Sequence, residues 1–144
     1  RDRFVPRSHL RPADTLEPDP VAVAERFLGT PYLWGGNSRE GIDCSGLVQV
    51  ALRSAGIACP GDSDLQREAA GEAMGAELPP GTPLKRGDLV FWTGHVAMVA
   101  DEGRLIHANG HAMAVVHEGI EAAFARILAS DGLPVRKMRR PTLP

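Results

Sequence analysis

The chain has 144 residues, a formal net charge of −2 and an apolar share of 43%, values that exclude a disordered chain and a polyelectrolyte partner such as nucleic acid. That length fits one domain with its own core. No apolar run approaches the roughly 18–20 residues that span a bilayer. The two cysteines, Cys44 and Cys59, are too few for a disulfide framework and are expected as free thiols.

Residues 1–19 are rich in Pro and Arg, lack a helical period and read as a linker, with Phe4-Val5-Pro6 as a short extended piece. There is no starting Met and no leader pattern, so the chain is expected to be a piece of a longer protein, and its compartment stays open. The folded domain is expected over residues 20–144. Asp19 and Pro20 suit the N-cap and first position of a helix carrying Val21, Ala24, Phe27 and Leu28 on one face, closed by Gly29. A glycine-rich aromatic loop follows, PYLWGGNSREGI. Asp43 then caps a second helix that runs to about Ala55, with Cys44, Leu47, Val48, Ala51 and Ala55 on its inward stripe.

This pattern puts the Cys44 thiol in the first turn of a helix, where the dipole and free N–H groups favour a thiolate. A short helix from about Ser63 to Ala70 opens with the capping-box pattern Ser63-x-x-Gln66. The Gly/Pro/Glu-rich crossing over 71–86 is expected to be mostly loop. Strands follow at Leu89–Trp92, His95–Ala100, Arg104–Ala108 and Met113–His117, then a helix over Ile120–Leu128 and a last strand over Leu133–Arg139. Helices first and an antiparallel sheet afterwards make the fold class α+β.

The turn Asp101-Glu102-Gly103 fixes what the strands present. A three-residue loop with Gly103 left-handed pairs Ala97 with His107 and His95 with Asn109. His95 and His107 then share a face as diagonal neighbours roughly 7–8 Å apart, within side-chain reach. If the cysteine helix lies on that face, the chain has a nucleophile, a base and a group to orient the base. Either His107 or Asn109 could be that orienting group. His111 and His117 are expected to face solvent. The basic run Arg136, Lys137, Arg139 and Arg140 is read as edge-strand protection. No CxxC or HExxH spacing is present, so no metal is expected on Cys44, His95 and His107.

The segments Tyr32-x-Trp34-Gly35-Gly36, Asp43-Cys44-Ser45-Gly46, Gly87-Asp88-Leu89-Val90-Phe91-Trp92, Gly94-His95-Val96 and Ile106-His107-Ala108 together resemble the NlpC/p60 cysteine peptidases, over roughly Val21 to the C-terminus. The resemblance implies a papain-like α+β fold, with N-terminal helices on a central antiparallel sheet and the nucleophile at a helix N-terminus. It also implies cleavage of bacterial peptidoglycan stem peptides between γ-D-glutamate and a diamino acid, without a cofactor. By position Cys44 becomes the nucleophile, His95 the general base and His107 the orienting third residue.

The branch it resembles most cleaves trimmed peptides such as L-Ala-γ-D-Glu-meso-diaminopimelate. There Tyr32 would line the oxyanion side and Trp34 the pocket. Asp43 and Ser45 would hold the terminal ammonium and the glutamyl region, and Ser63 would add a polar contact. Tyr32 and Trp34 read equally as core aromatics, and Asp43 and Ser63 as helix caps. Members of that branch carry an SH3-like domain upstream, and Phe4–Leu10 resembles its last strand. Whether the substrate is intact wall or recycled peptide stays open, with the recycling branch favouring the cytoplasm. An acyltransferase or amidase on the same scaffold, and a module that binds cell-wall peptide without cutting it, are the rival functions.

Overall fold

The structure is a computed structural model that describes residues 2–10, 12–75 and 83–143. Phe4-Val5-Pro6 forms no strand, and among the described residues before residue 19 the only regular piece is a 3-10 turn over Arg7–His9. Helix α1 (Pro20–Glu25) starts as expected, with the Asp19 side chain accepting from Val21 N–H at 2.9 Å. It ends sooner than the apolar spacing predicts. Phe27 N–H bonds Ala24 O and Leu28 N–H bonds Glu25 O, tighter i→i−3 turns that lead into left-handed Gly29.

The aromatic loop is a closed knot. Two-residue strands β1 (Asn37–Ser38) and β2 (Gly41–Ile42) pair inside it, an element the sequence did not signal. Helix α2 (Cys44–Ser54) leaves the knot with Asp43 as its N-cap. Gly46 sits in its first turn because a Cβ there would collide with the Gly36 carbonyl oxygen.

Helix α3 (Ser63–Ala69) begins at the expected place, but the capping box does not form. Asp62 is the N-cap residue and makes no side-chain cap bond. Gln66 is instead wholly buried, and its amide donates to Ser45 O and to Pro60 O, each at 2.9 Å. One buried and one half-buried carbonyl outcompete a solvent-exposed cap for one amide.

The sheet contains β3 (Glu72–Gly75), β4 (Leu89–Trp92), β5 (His95–Val99), β6 (Arg104–Asn109), β7 (Ala114–Gly119) and β8 (Lys137–Arg140), all antiparallel, in the order β3-β8-β4-β5-β6-β7. Strand β3 lies in the crossing expected to be loop, part of which, residues 76–82, falls outside the described residues. Strand β8 starts later than expected, and it is interior, between β3 and β4. Its basic side chains therefore do not guard an edge. Arg139 is buried and donates to Arg67 O and Gly71 O, Arg140 forks onto the buried Asp88, and Lys137 reaches Glu68 at 3.0 Å.

Helix α4 (Ile120–Asp131) covers one face of the sheet, packing Ile120, Ala123 and Ile127 against Val90, Trp92 and Leu105. Helix α2 covers the other, with Leu47, Val48 and Ala51 against Phe91, Met98 and Ile106.

We expect Gln66→Leu to lower unfolding free energy by about 1–3 kcal/mol, the cost of losing the amide bonds to the buried Ser45 carbonyl and the half-buried Pro60 carbonyl. Urea unfolding followed by circular dichroism checks this. A change within a few tenths of a kcal/mol would remove Gln66 as the tie between α2 and α3.

Candidate active site

The register of the β5–β6 hairpin is the one the three-residue loop dictates, with Met98 opposite Ile106 and Val99 opposite Leu105. The means differ. Gly103 stays out of the left-handed region, and Asp101 closes the loop by accepting from Gly103 N–H at 3.1 Å and Arg104 Nε at 2.7 Å. His95 and His107 share a face, and His95 Nε2 lies 2.9 Å from His107 Nδ1. The face is not the one covered by α2. Both histidines alternate with Val96 and Ile106 and so belong with Ala97 and Leu105 on the α4 side, where the His95 ring lies 5.5 Å from that of Trp92.

Cys44 nevertheless reaches the strand that carries His95. The β5–β6 ladder runs only over Met98–Ile106 and Val99–Leu105, so the strands part toward their His95 and His107 ends. There the buried sulfur meets the N–H of Val96, the residue next to His95, along with the N–H groups of Ser45 and Cys44. Burial pushes the Cys44 thiol up, and the Asp43 carboxylate adds to this; the three N–H groups oppose it without winning. The helix start thus supplies the donors the sequence predicts, but desolvation outweighs them. Burial also pushes His95 down to about 3, with His107 as the second cause. Uncharged thiol and uncharged imidazole are the favoured forms.

All five remaining positions singled out from the sequence, Tyr32, Trp34, Asp43, Ser45 and Ser63, line one open cleft of about 490 Å³ together with Cys44. Tyr32 is held by Met113 O, which accepts from its N–H at 2.9 Å, and Met113 itself takes the left-handed φ of 53°. Burial raises the Tyr32 phenol, as do Cys44 and Asp43 beside it. Trp34 is no core aromatic, being 86% exposed at the mouth. Asp43 knots the loop to the helix: Oδ2 accepts from Gly35 N–H at 2.8 Å, and Oδ1 from Gly46 N–H at 2.7 Å and Ser45 Oγ at 3.0 Å. Asp62 and Asp64 add two carboxylates to the cleft, and among the described residues no Lys or Arg lines it. Their signal was the run Asp62-Ser63-Asp64 itself.

A second cleft of about 440 Å³, lined by His95, Asn109 and Arg126 among others, lies beyond Gly94, which borders both. Behind His107 stand two groups the sequence analysis did not mark. Glu118 Oε2 lies 2.9 Å from His107 Nε2, and Arg126 forks onto Glu118 at 2.7 and 2.9 Å. The signal was alternation: Val116 faces His107 in the register, so Glu118, two residues on, shares its side of β7. Asn109 does not bond His95; its Nδ2 lies 3.0 Å from His107 Nε2.

His111 is exposed as expected, but His117 is half-buried, with Nε2 3.5 Å from Glu25 Oε1. Both cysteines are free thiols, and Cys59 packs against the α2-side core. Among the described residues, no group of three or more His, Cys, Asp or Glu is placed to hold a metal ion, and no helix is long and apolar enough to cross a membrane.

The model of the NlpC/P60 family matches residues 29–126. The γ-D-glutamyl-L-lysine dipeptidyl-peptidase of Bacillus cereus is 37% identical over 98 residues, 62% of this chain and 28% of that protein. Peptidoglycan endopeptidase RipB of Mycobacterium tuberculosis is 33% identical over 125 residues, 75% of this chain and 48% of that protein. A crystal structure of an NlpC/P60 family protein from Bacillus cereus superposes with a TM-score of 0.67 at 32% identity, over 88% of this chain and 40% of that one. The chain thus spans less than half the length of each of these relatives.

Burial pushes the Cys59 thiol up to about 11. Its iodoacetamide alkylation is expected to rise about tenfold per pH unit from pH 7 to pH 10 without levelling, where an ordinary thiol of pKa about 8.5 levels off. Mass spectrometry of the Cys59 peptide reads this; a plateau by pH 9 would contradict it.

Proposed function

The chain belongs to the NlpC/P60 family, and from that premise we propose that it is a cysteine endopeptidase hydrolysing the γ-D-glutamyl–diaminopimelate bond of cell-wall stem peptides. The observation that carries the reading is the His95–His107 bond at 2.9 Å beside the cleft that holds Cys44. His107 engages Nε2 of His95, which leaves Nδ1 of His95 as the nitrogen available to the thiol.

In the proposed reaction the thiol proton passes to His95 Nδ1 as sulfur bonds to the peptide carbonyl carbon. The N–H of Cys44 and the Tyr32 hydroxyl take up the oxyanion, such donors being worth about 2.7–4 kcal/mol each. The C–N bond then breaks, and the His95 proton goes to the departing amine. Water hydrolyses the thioester, with the imidazole taking its proton in turn. Proton transfer is concerted with attack, since burial disfavours both the free thiolate and the imidazolium.

The two clefts divide the substrate. The acyl half lies with Cys44, and the departing amine lies on the His95 side of Gly94. Asp43, Asp62 and Asp64, with no Lys or Arg beside them among the described residues, suit a free terminal ammonium. That supports a trimmed peptide with an unblocked N-terminus over one still attached to glycan.

Mass spectrometry of L-Ala-γ-D-Glu-meso-diaminopimelate incubated with the protein is expected to show free diaminopimelate, with none above background for Cys44→Ala. The N-acetylated peptide should react at least about tenfold more slowly, the loss of roughly one charge-assisted contact. Intact peptide with the wild type points to a binding module. Product that forms only when an acceptor amine is added points to an acyltransferase.

A further inference from the structure

We infer that Glu118, gripped by Arg126, is a positioning residue that sets the tautomer of His107 and, through it, that of His95. The inference builds on the proposed peptidase reading but is tested apart from it.

The chain of bonds fixes each proton in turn. Glu118 receives two bonds from Arg126, Nε to Oε1 at 2.7 Å and Nη2 to Oε2 at 2.9 Å. Those bonds hold its carboxyl below the usual range, so it is ionised and can only accept. His107 is 1% exposed, and burial favours its neutral ring despite the carboxylate alongside. A neutral imidazole has one N–H, and at His107 it must sit on Nε2 to meet Glu118 Oε2 at 2.9 Å. Nδ1 of His107 is then a lone pair, able only to accept from His95 Nε2–H at 2.9 Å. Nδ1 of His95 is left bare, as a base for the thiol must be.

Asn109 pulls the other way. Its Oδ1 is committed to Ala112 N–H at 2.7 Å, which turns its amide nitrogen toward His107 Nε2 at 3.0 Å. A donor there favours the opposite tautomer, with the His107 proton on Nδ1 and the His95 proton on its own Nδ1, the nitrogen the proposed reaction needs bare. A hydrogen bond to an ionised acceptor is roughly twice as strong as a neutral one, so Glu118 prevails over Asn109. Remove the carboxylate and Asn109 sets the relay in the unproductive sense.

Glu118→Ala tests this, read alongside Glu118→Ala/Asn109→Asp. The aspartate keeps an oxygen for Ala112 N–H and gives His107 Nε2 an acceptor again. The ¹⁵N shifts of the His95 and His107 rings report the tautomers without any substrate. They should move in Glu118→Ala from a proton on Nε2 to one on Nδ1, and return in the double variant. On the peptide substrate, kcat should fall by part of the about 10²–10⁴-fold that positioned proton transfer contributes, with KM within about threefold, and recover at least about tenfold in the double variant. Ring shifts unchanged in Glu118→Ala, or shifts that change without rescue by Asn109→Asp, would overturn the inference and leave Glu118–Arg126 a structural ion pair. Should Glu118→Ala not fold, Asn109→Asp alone must keep the wild-type tautomers; their inversion would overturn it equally. If the peptide is never cleaved while the rings respond as stated, the peptidase reading fails and this inference stands.

Discussion

The pairing of Met98 with Ile106 is the constraint on which the site depends. Slipping that register by one residue would send one of the two imidazoles to the opposite side of the sheet. With it, two side chains 12 positions apart in sequence meet through ring nitrogens at 2.9 Å. The same pairing ends where it must. Because the ladder stops before Val96, that residue's N–H is free for the Cys44 sulfur. A ladder continued to His95 and Asn109 would occupy the N–H, and the thiol would lose a partner at the strand opening.

Local chemistry made much of this legible. Asp19 and Asp43 cap the helices they were expected to cap, and the three-residue turn set the register although Asp101, not a left-handed Gly103, closes it. Tyr32, Trp34, Asp43, Ser45 and Ser63 gather in one cleft with Cys44. The failures concern what distant segments do to one another. Period and capping identify α2, but nothing in them says which face of the sheet it covers. Gln66 obeyed the capping-box spacing and went elsewhere, because a buried and a half-buried carbonyl, 21 and 6 residues away, were the better partners. The basic residues of β8 read as edge guards only while the partner strand β3 was hidden in a loop-like sequence.

The corrected placement of α2 alters the physical picture of the site. With α2 and the histidines on opposite faces, the sheet itself separates the sulfur from the Glu118–Arg126 pair. On the α4 side, the ion pair is compatible with burial because Arg126 neutralises Glu118 before either meets the rings. A bare carboxylate against His107 would draw a second proton onto that ring and leave His95 as the acceptor of the wrong hydrogen bond.

The cleft and the proposed nucleophile make opposite demands on charge. Three carboxylates, Asp43, Asp62 and Asp64, favour a cationic ligand, and one of them, Asp43, adds to the forces that hold the neighbouring thiol protonated. A site activated by a standing thiolate would work against its own binding wall. The neutral dyad of the proposed mechanism has no such conflict, because its proton would move only when a carbonyl is present to take up the negative charge, among the N–H groups of Val96, Ser45 and Cys44 that burial leaves unmatched by a resting anion. What such a dyad requires in exchange is orientation: an uncharged imidazole is not drawn to an uncharged thiol, so the proton position on His95 has to be set from behind. In the proposed mechanism His107 supplies that through its Nδ1, which meets His95 Nε2, and the order of protons along β5, β6 and β7 replaces the ion pair that burial disfavours.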